Sequence, residues 1–218
     1  MRVEKKVVMI GATGAVGGAC AAALAGRAAV TALGRRTEDG LAADQHVVDL
    51  ADPASYAAHL EGQDAAICCL GVGEPSNVSR AEFRRIDHDI PLAFATACRA
   101  AGVSGFSLLS SVGADAGSRI FFARSKGELE DGLRALAFDR LSLFHPSMIL
   151  TPKNRYGLSQ ALTLAIWPRL TPLFQGPMKK LRGIPVARLG RAIAQDALRD
   201  RPGEATYEWP EIMDLSAE

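Results

Sequence analysis

No stretch of this 218-residue chain is both long and apolar enough to cross a bilayer. No secretory leader is expected after Met1, because the first apolar run is short and passes directly into glycines. Net charge is almost absent: at +1 there is no overall pull toward nucleic acid, and no such partner is expected. Cysteine is scarce, and Cys20, Cys68, Cys69 and Cys98 lack ligand spacing for zinc, so no metal site is expected. They read as reduced, buried thiols of a cytoplasmic protein. Adjacent in a predicted strand, Cys68 and Cys69 point to opposite faces. Tyrosine is rare, found only at Tyr56, Tyr156 and Tyr207. Acidic residues vanish between Thr151 and Gln195. What remains is an ordinary globular composition, 48% hydrophobic and 22% charged, long enough for one sizeable core and a small appendage.

What the sequence does have is a strand, a glycine turn and a helix within residues 6–25. Lys6 to Ile10 end in a continuous apolar run, as in a strand buried on both faces. Gly11, Gly14 and Gly17 follow at three-residue spacing, and the small residues Ala19 to Ala25 read as a helix. A strand turning through glycines into a helix presents that helix's first N–H groups to phosphate. The spacing G-x-x-G-x-x-G departs from the standard G-x-G-x-x-G, but the strand before it and the helix after it favour a dinucleotide site over a plain helix start.

A second strand, Ala28 to Leu33, delivers Gly34, Arg35 and Arg36. An NAD site carries an acid at this place to bind the ribose hydroxyls. Two guanidiniums there pair instead with a 2′-phosphate, so NADP(H) is expected over NAD(H), the alternative being two solvated loop charges. Gln45 to Leu50 is the third predicted strand. Asp49 at its end either reaches the adenine or starts a turn before Asp52-Pro53. Asp64 to Leu70 is the fourth, with Gly71 leaving room for a cofactor against the backbone. Arg80 to Ala101 reads as a long helix kinked or split at Pro91. Ser104 to Leu109, Arg119 to Ala137 and Leu141 to Phe144 continue the alternation, which delivers Ser110, Ser111 and then His145. The predicted fold is therefore α/β: a doubly wound parallel sheet of the NAD(P)-binding Rossmann type. Gly11, Arg35, Asp49, Gly71, Ser110 and His145 all fall on the carboxyl edge, where such sheets bind ligands.

Residues 1–150 form this core. Residues 151–218 are read as a small substrate-side cap packed on it, in a single domain overall. The cap holds an apolar helix from Leu158 to Trp167, a loop or lid over residues 169–183, an amphipathic helix from Ala187 to Leu198, and a final strand from Ala205 to Met213. Lys153, Arg155, Arg169, Lys179, Lys180, Arg182, Arg188 and Arg191 make it basic. That patch is either a solvated face near the cofactor phosphates, a site for an anionic substrate, or, with Leu164, Ile166 and Trp167, a peripheral membrane contact. The apolar segment 158–174 can equally pack on its own domain or form a homodimer.

GATGAVGG, GRR, CCLG at 68–71, LLSSVGAD at 108–115, KGELE at 126–130 and FDRLSLFHP at 138–146 resemble the atypical short-chain dehydrogenase/reductases. Within these they look most like the Tat-interacting-protein oxidoreductase-like group, over about residues 6–150. The resemblance implies oxidoreduction of an unknown carbonyl or alcohol. It implies that Gly11, Thr13, Gly14, Ala15, Val16 and Gly17 hold the pyrophosphate and Arg35 and Arg36 the adenosine phosphate; Asp49 and Leu50, from their place at the end of the third predicted strand, are expected on the adenine side. Leu70 and Gly71 would line the path to the ribose, and His145, Pro146, Ser147 and Met148 would approach the nicotinamide. Short-chain dehydrogenases use Ser, Tyr and Lys, the last two as Tyr-x-x-x-Lys. Ser110, Ser111 and Lys126 match, but the tyrosine position is Phe122, which has no proton to donate. Three accounts follow: Tyr156, His145 or water supplies the proton; the chain binds NADP(H) and signals to a protein partner; or the fold is a scaffold.

Overall fold

The structure, a computed structural model, describes residues 5–73, 78–151 and 174–217. Strands β1 (Lys5–Ile10), β2 (Ala28–Gly34), β3 (Asp44–Val47), β4 (Ala65–Cys68), β5 (Gly105–Leu109) and β6 (Arg140–Phe144) follow in chain order. Next come β7 (Met148–Leu150), β8 (Gly183–Pro185) and β9 (Gly203–Tyr207). The main sheet runs β3-β2-β1-β4-β5-β6-β9, and every neighbouring pair is parallel. The expected α/β doubly wound parallel sheet is thus observed.

Side-chain alternation along the strands builds two cores. Val7, Met9, Ala65, Ile67 and Phe144 join the core formed with α1 (Ala15–Leu24). Val8, Ile10, Ala66, Cys68, Phe106 and Leu108 face the opposite core. That second core is covered by helices that follow α2 (Arg80–Arg84), namely α3 (Ile90–Ala100) and α4 (Phe121–Ala135). The first core is completed by α5 (Val186–Ala197) and α6 (Trp209–Leu215). The adjacent thiols divide as expected, Cys68 to the second core and Cys69 against the first. Burial pushes Cys20 and Cys68 up to about 12, which leaves both protonated at neutral pH.

Small residues in α1 have a packing reason. A Cβ added to Gly190 of α5 would lie 2.6 Å from Ala19 Cβ and 2.7 Å from the Cys20 nitrogen. Helix axes approach this closely only where side chains are minimal.

The helix expected over 80–101 is interrupted by a π turn at Arg85–Asp89, where the Ile90 N–H donates five residues back to the Arg85 carbonyl. Pro91 stands in the first turn of α3 and has no N–H to offer the Asp87 carbonyl, four residues earlier. The proline thus splits the helix, and Asp87 lies in the split.

The C-terminal residues depart from the cap reading. α5 and α6 belong to the first core, and β9 is the outermost strand of the main sheet beside β6. β7 and β8 form a separate parallel pair that the sequence does not predict. The strand expected to run to Met213 ends at Tyr207. Glu208 and Glu211 form a capping box and Pro210 occupies the first turn, so helix replaces strand from Trp209. The expected helix at Leu158–Trp167, Tyr156 and the apolar dimer segment up to Leu173 lie outside the described residues.

Candidate functional site

Gly11 leaves β1 at φ +79°, and a Cβ there would sit 2.4 Å from the carbonyl carbon of Cys69. A Cβ on Gly17 would sit 2.1 Å from the Gly11 oxygen. Both positions therefore require glycine: the turn lies against the chain leaving β4, and α1 begins pressed on that turn. Gly14 is the N-cap of α1, with no side-chain cap and no acid in the first turn. The first intrahelical bond runs from Gly18 N–H to the Gly14 carbonyl at 2.9 Å. The N–H groups of Ala15, Val16 and Gly17 precede it and have no intrahelical acceptor, the arrangement that binds an anion.

Beside this helix start is a cavity of about 340 Å³, lined by Gly11, Ala12, Thr13, Gly34, Arg35, Arg36, Leu41, Gln45, Leu50 and Leu70. Ala12, Gly34, Leu41 and Gln45 carry no cofactor assignment from the sequence. Gln45 fixes the arginine loop: its amide accepts from the Glu38 N–H at 2.8 Å and donates to the Glu38 carbonyl at 3.0 Å. Glu38 in turn places a carboxylate 3.9 Å from Arg36 Nη2, both side chains largely exposed. Asp49 is not among the lining residues. β3 stops at Val47, and the Asp49 carboxylate accepts from the Ala51 N–H at 2.9 Å, which is the turn-starting role.

The other half of the edge is formed by β4, β5 and β6. Lys126, on α4, is 5% exposed, and its Nζ lies 2.9 Å from Asp87 Oδ1. The second oxygen of Asp87 accepts from the Val72 N–H at 2.7 Å. A Cβ on Gly71 would come within 3.0 Å of Asp87 Oδ1, so this glycine makes room for the aspartate. The two serines diverge. Ser110 donates to Glu130 Oε1, while the buried Ser111 hydroxyl has no hydrogen-bond partner among the described residues. His145 Nε2 lies 2.8 Å from the same Glu130 oxygen. Pro146 accepts from the Val112 N–H at 3.1 Å, Ser147 follows it, and Met148 opens β7. Phe122 occupies the expected place one turn before Lys126 and packs its ring 5.3 Å from that of Phe83.

Asp87 and Glu130 were missed from the sequence. Glu130 is four residues beyond Lys126 on the same helical face, a spacing that is legible. Asp87 is marked only by the proline four residues later.

Much of the described basic surface is engaged by its own chain. Arg182 lies over the Trp209 ring at 4.9 Å and donates to the Phe174 carbonyl at 2.8 Å. Arg188 and Arg191 reach Ser216 at 3.4 and 3.3 Å, and Lys180 is 3.7 Å from Glu208.

The glycine cradle, the uncapped helix start and the arginine-lined cavity fit the phosphate and adenosine parts of a pyridine dinucleotide. The comparisons agree. Residues 11–138 match the family model described as NAD(P)H-binding. The chain is 36% identical over 159 residues to Protein HTATIP2 of Rattus norvegicus, covering 69% of this chain and 65% of that one, just under two thirds of its length. It is 32% identical over 167 residues to mitochondrial Protein fmp52 of Emericella nidulans, covering 72% of each. Among solved structures, MoeE5 in complex with UDP-glucose and NAD superposes with a TM-score of 0.71 at 18% identity, over 97% of this chain and 81% of that one, a likeness of fold. The cytoplasmic expectation is corrected by these relatives: fmp52 and the FMP52 proteins of Scheffersomyces stipitis and Candida albicans are named mitochondrial. Reduced thiols cannot distinguish the two compartments. No described helix is long and apolar enough to cross a membrane. With the parallel sheet, the glycine cradle and these relatives together, the chain belongs to the NAD(P)H-binding family, among the atypical short-chain dehydrogenase/reductases of the HTATIP2 and FMP52 kind.

Proposed function

We propose that the chain is an NADP(H)-dependent oxidoreductase of a small carbonyl or alcohol. The observation that carries this reading is the shared carboxyl edge. It sets an arginine-lined nucleotide cavity at β1 and β2 and a buried lysine with two serines at β4 to β6. Arg35 and Arg36 would hold the 2′-phosphate, which guanidinium forks match better than they match a ribose diol. The first N–H groups of α1 would hold the pyrophosphate. Bound there, NADPH supplies the hydride for carbonyl reduction. Lys126, held in place by Asp87, would hold ribose hydroxyls, and Ser111 would offer its hydroxyl to the substrate oxygen.

A second reading has one specific observation in its favour. Phe122 carries no hydroxyl, so the chain would bind NADP(H) and signal occupancy to a protein partner without turnover.

The experiment is titration with NADPH and NADH followed by nicotinamide fluorescence, then NADPH consumption with a panel of aldehydes and ketones. Tight, NADPH-selective binding is expected. Arg35→Ala with Arg36→Ala should weaken NADPH by about tenfold or more and NADH little, since two charge-assisted contacts to one phosphate are lost. Equal weakening of both cofactors removes the 2′-phosphate assignment. Binding without consumption selects the second reading.

A further inference from the structure

At the carboxyl ends of β5 and β6, three polar side chains are buried on one another. Ser110 is 5% exposed, Glu130 3% and His145 9%. Ser110 donates to Glu130 Oε1, and His145 Nε2 meets that same oxygen at 2.8 Å. Polar groups this deeply buried are costly unless each is satisfied by another. Resting on the reductase reading above, we propose that Ser110, Glu130 and His145 are a proton relay that replaces the hydroxyl missing at Phe122, with Ser110 as the catalytic donor and Glu130 and His145 as positioning and supply residues.

The site needs such a source. Carbonyl reduction delivers two electrons and one hydrogen to carbon from NADPH, which becomes NADP⁺. The π pair of the carbonyl moves to oxygen, and that oxygen must take one proton. In the relay the hydrogen bond between Ser110 and Glu130 reverses: Glu130, once protonated, donates to Ser110 Oγ as the Ser110 hydroxyl turns and gives its own proton to the substrate oxygen. Glu130 takes its proton from His145 Nε2–H, and the neutral imidazole is reprotonated from solvent. One proton enters and one alcohol leaves. Alcohol oxidation runs the same sequence backward. A serine hydroxyl alone is too weak an acid for this near neutrality, but backed by a carboxyl group and an imidazole it has an acid–base partner suited to that range.

The surroundings fit a relay more closely than a plain structural knot. Glu130 follows Lys126 by one turn of α4, so relay and lysine share a helical face. Arg134 stands behind Glu130, with Nη2 at 3.5 Å from Oε2, and holds the carboxyl without occupying the oxygen that faces Ser110 and His145. Arg134 is itself tied to Asp131 and Glu204 at 2.9 Å each. On the β9 side His145 meets the backbone of Tyr207, whose carbonyl accepts from the His145 N–H at 2.8 Å. The nearby Lys126 charge is already matched by Asp87.

The test uses the full chain, NADPH, and 4-nitrobenzaldehyde and 9,10-phenanthrenequinone as probe carbonyls, with Ser110→Ala, Glu130→Gln and His145→Asn. NADPH dissociation constants by fluorescence are measured beside kcat from pH 5 to 9. Ser110→Ala and Glu130→Gln should lower kcat by about a hundredfold, as loss of a general acid does, while NADPH affinity stays within about twofold. His145→Asn should lower kcat and change the shape of its profile between pH 5 and 9 while NADPH affinity stays within about twofold, which loss of packing would not do. Should Glu130→Gln fail to fold, Ser110→Ala and His145→Asn decide the matter. Variants that keep wild-type kcat and pH profile overturn the relay and leave the reductase reading standing. A wild-type chain that binds NADPH and reduces neither probe overturns both, and leaves cofactor binding intact.

Discussion

Lys126 Nζ and Asp87 Oδ1 are 2.9 Å apart, and both side chains are almost wholly buried. In a site with a tyrosine one turn before the lysine, the ammonium would have that oxygen to act on. Here its fixed partner is a carboxylate held by a π turn. Removing either charge leaves the other buried and unpaired, which costs about 3–5 kcal/mol. Asp87→Ala and Lys126→Ala should each lower stability by such an amount. The double variant should lose clearly less than the sum, as read from urea denaturation midpoints. Additive losses would mean that the two charges do not depend on one another.

Phe122→Tyr restores a hydroxyl on the Lys126 face of α4. The ring already packs at 5.3 Å from Phe83 and is only partly buried, so the added oxygen is tolerated. If the edge is a reductase site, NADPH consumption with an aldehyde should rise about tenfold or more, with the larger gain at lower pH, where the phenol keeps the proton it must give to the carbonyl oxygen. No gain in a chain that still binds NADPH counts against Lys126 as a catalytic lysine.

Gly105→Ala probes the opposite end of the sheet. A Cβ there would lie 2.6 Å from Arg140 Nη2. That guanidinium is held by Asp196 at 2.5 Å and by the Ser107 and Ser142 hydroxyls at 3.1 Å. Displacing it strains a buried network, and the expected loss is about 1–3 kcal/mol. NADPH affinity should not change, because Gly105 begins β5 while the cofactor edge lies at the strand's other end. A drop in affinity larger than the drop in stability would contradict that separation.

Alkaline pH should weaken the fold before it reaches the arginines. Burial raises Cys20 and Cys68 from 9.0, and Tyr56 and Tyr207 from 10.0, to about 12 in each case. For Tyr207 the Asp196 charge adds to burial. Above pH 9 the folded chain therefore binds more protons than the unfolded chain, so stability falls as pH rises. It should be fully present below about pH 9 and lost progressively up to about pH 12. Urea midpoints at pH 8, 9.5 and 10.5 check this, and a midpoint that does not move would refute it. Tyr207→Phe should lessen the decline above pH 10.

The first half of the fold was legible because its signals are local. Val7 to Ile10, the three glycines and Arg35 announce themselves within thirty residues. Proline at 91 announced a break, but not that the break would aim Asp87 at a lysine on another helix. Asp49 was ambiguous for a physical reason, since a strand end and an Asx turn use the same residue type. The capping box at Glu208 and Glu211 was readable and was overlooked in favour of a strand. β9 was legible as a strand, but its place beside β6 and the whole β7–β8 pair depend on partners far along the chain, which nothing local specifies.

The contact between Gly190 and Ala19 has a consequence for how the protein is made. A ribosome releases the amino end first, so α1 emerges with Cys20, Ala21 and Leu24 ready to be covered, long before α5 is synthesised. β6 likewise waits for β9. The nascent Rossmann half therefore leaves the exit tunnel with one apolar layer bare and one sheet edge open, a state suited to chaperone capture, and it closes only once α5 and β9 have emerged.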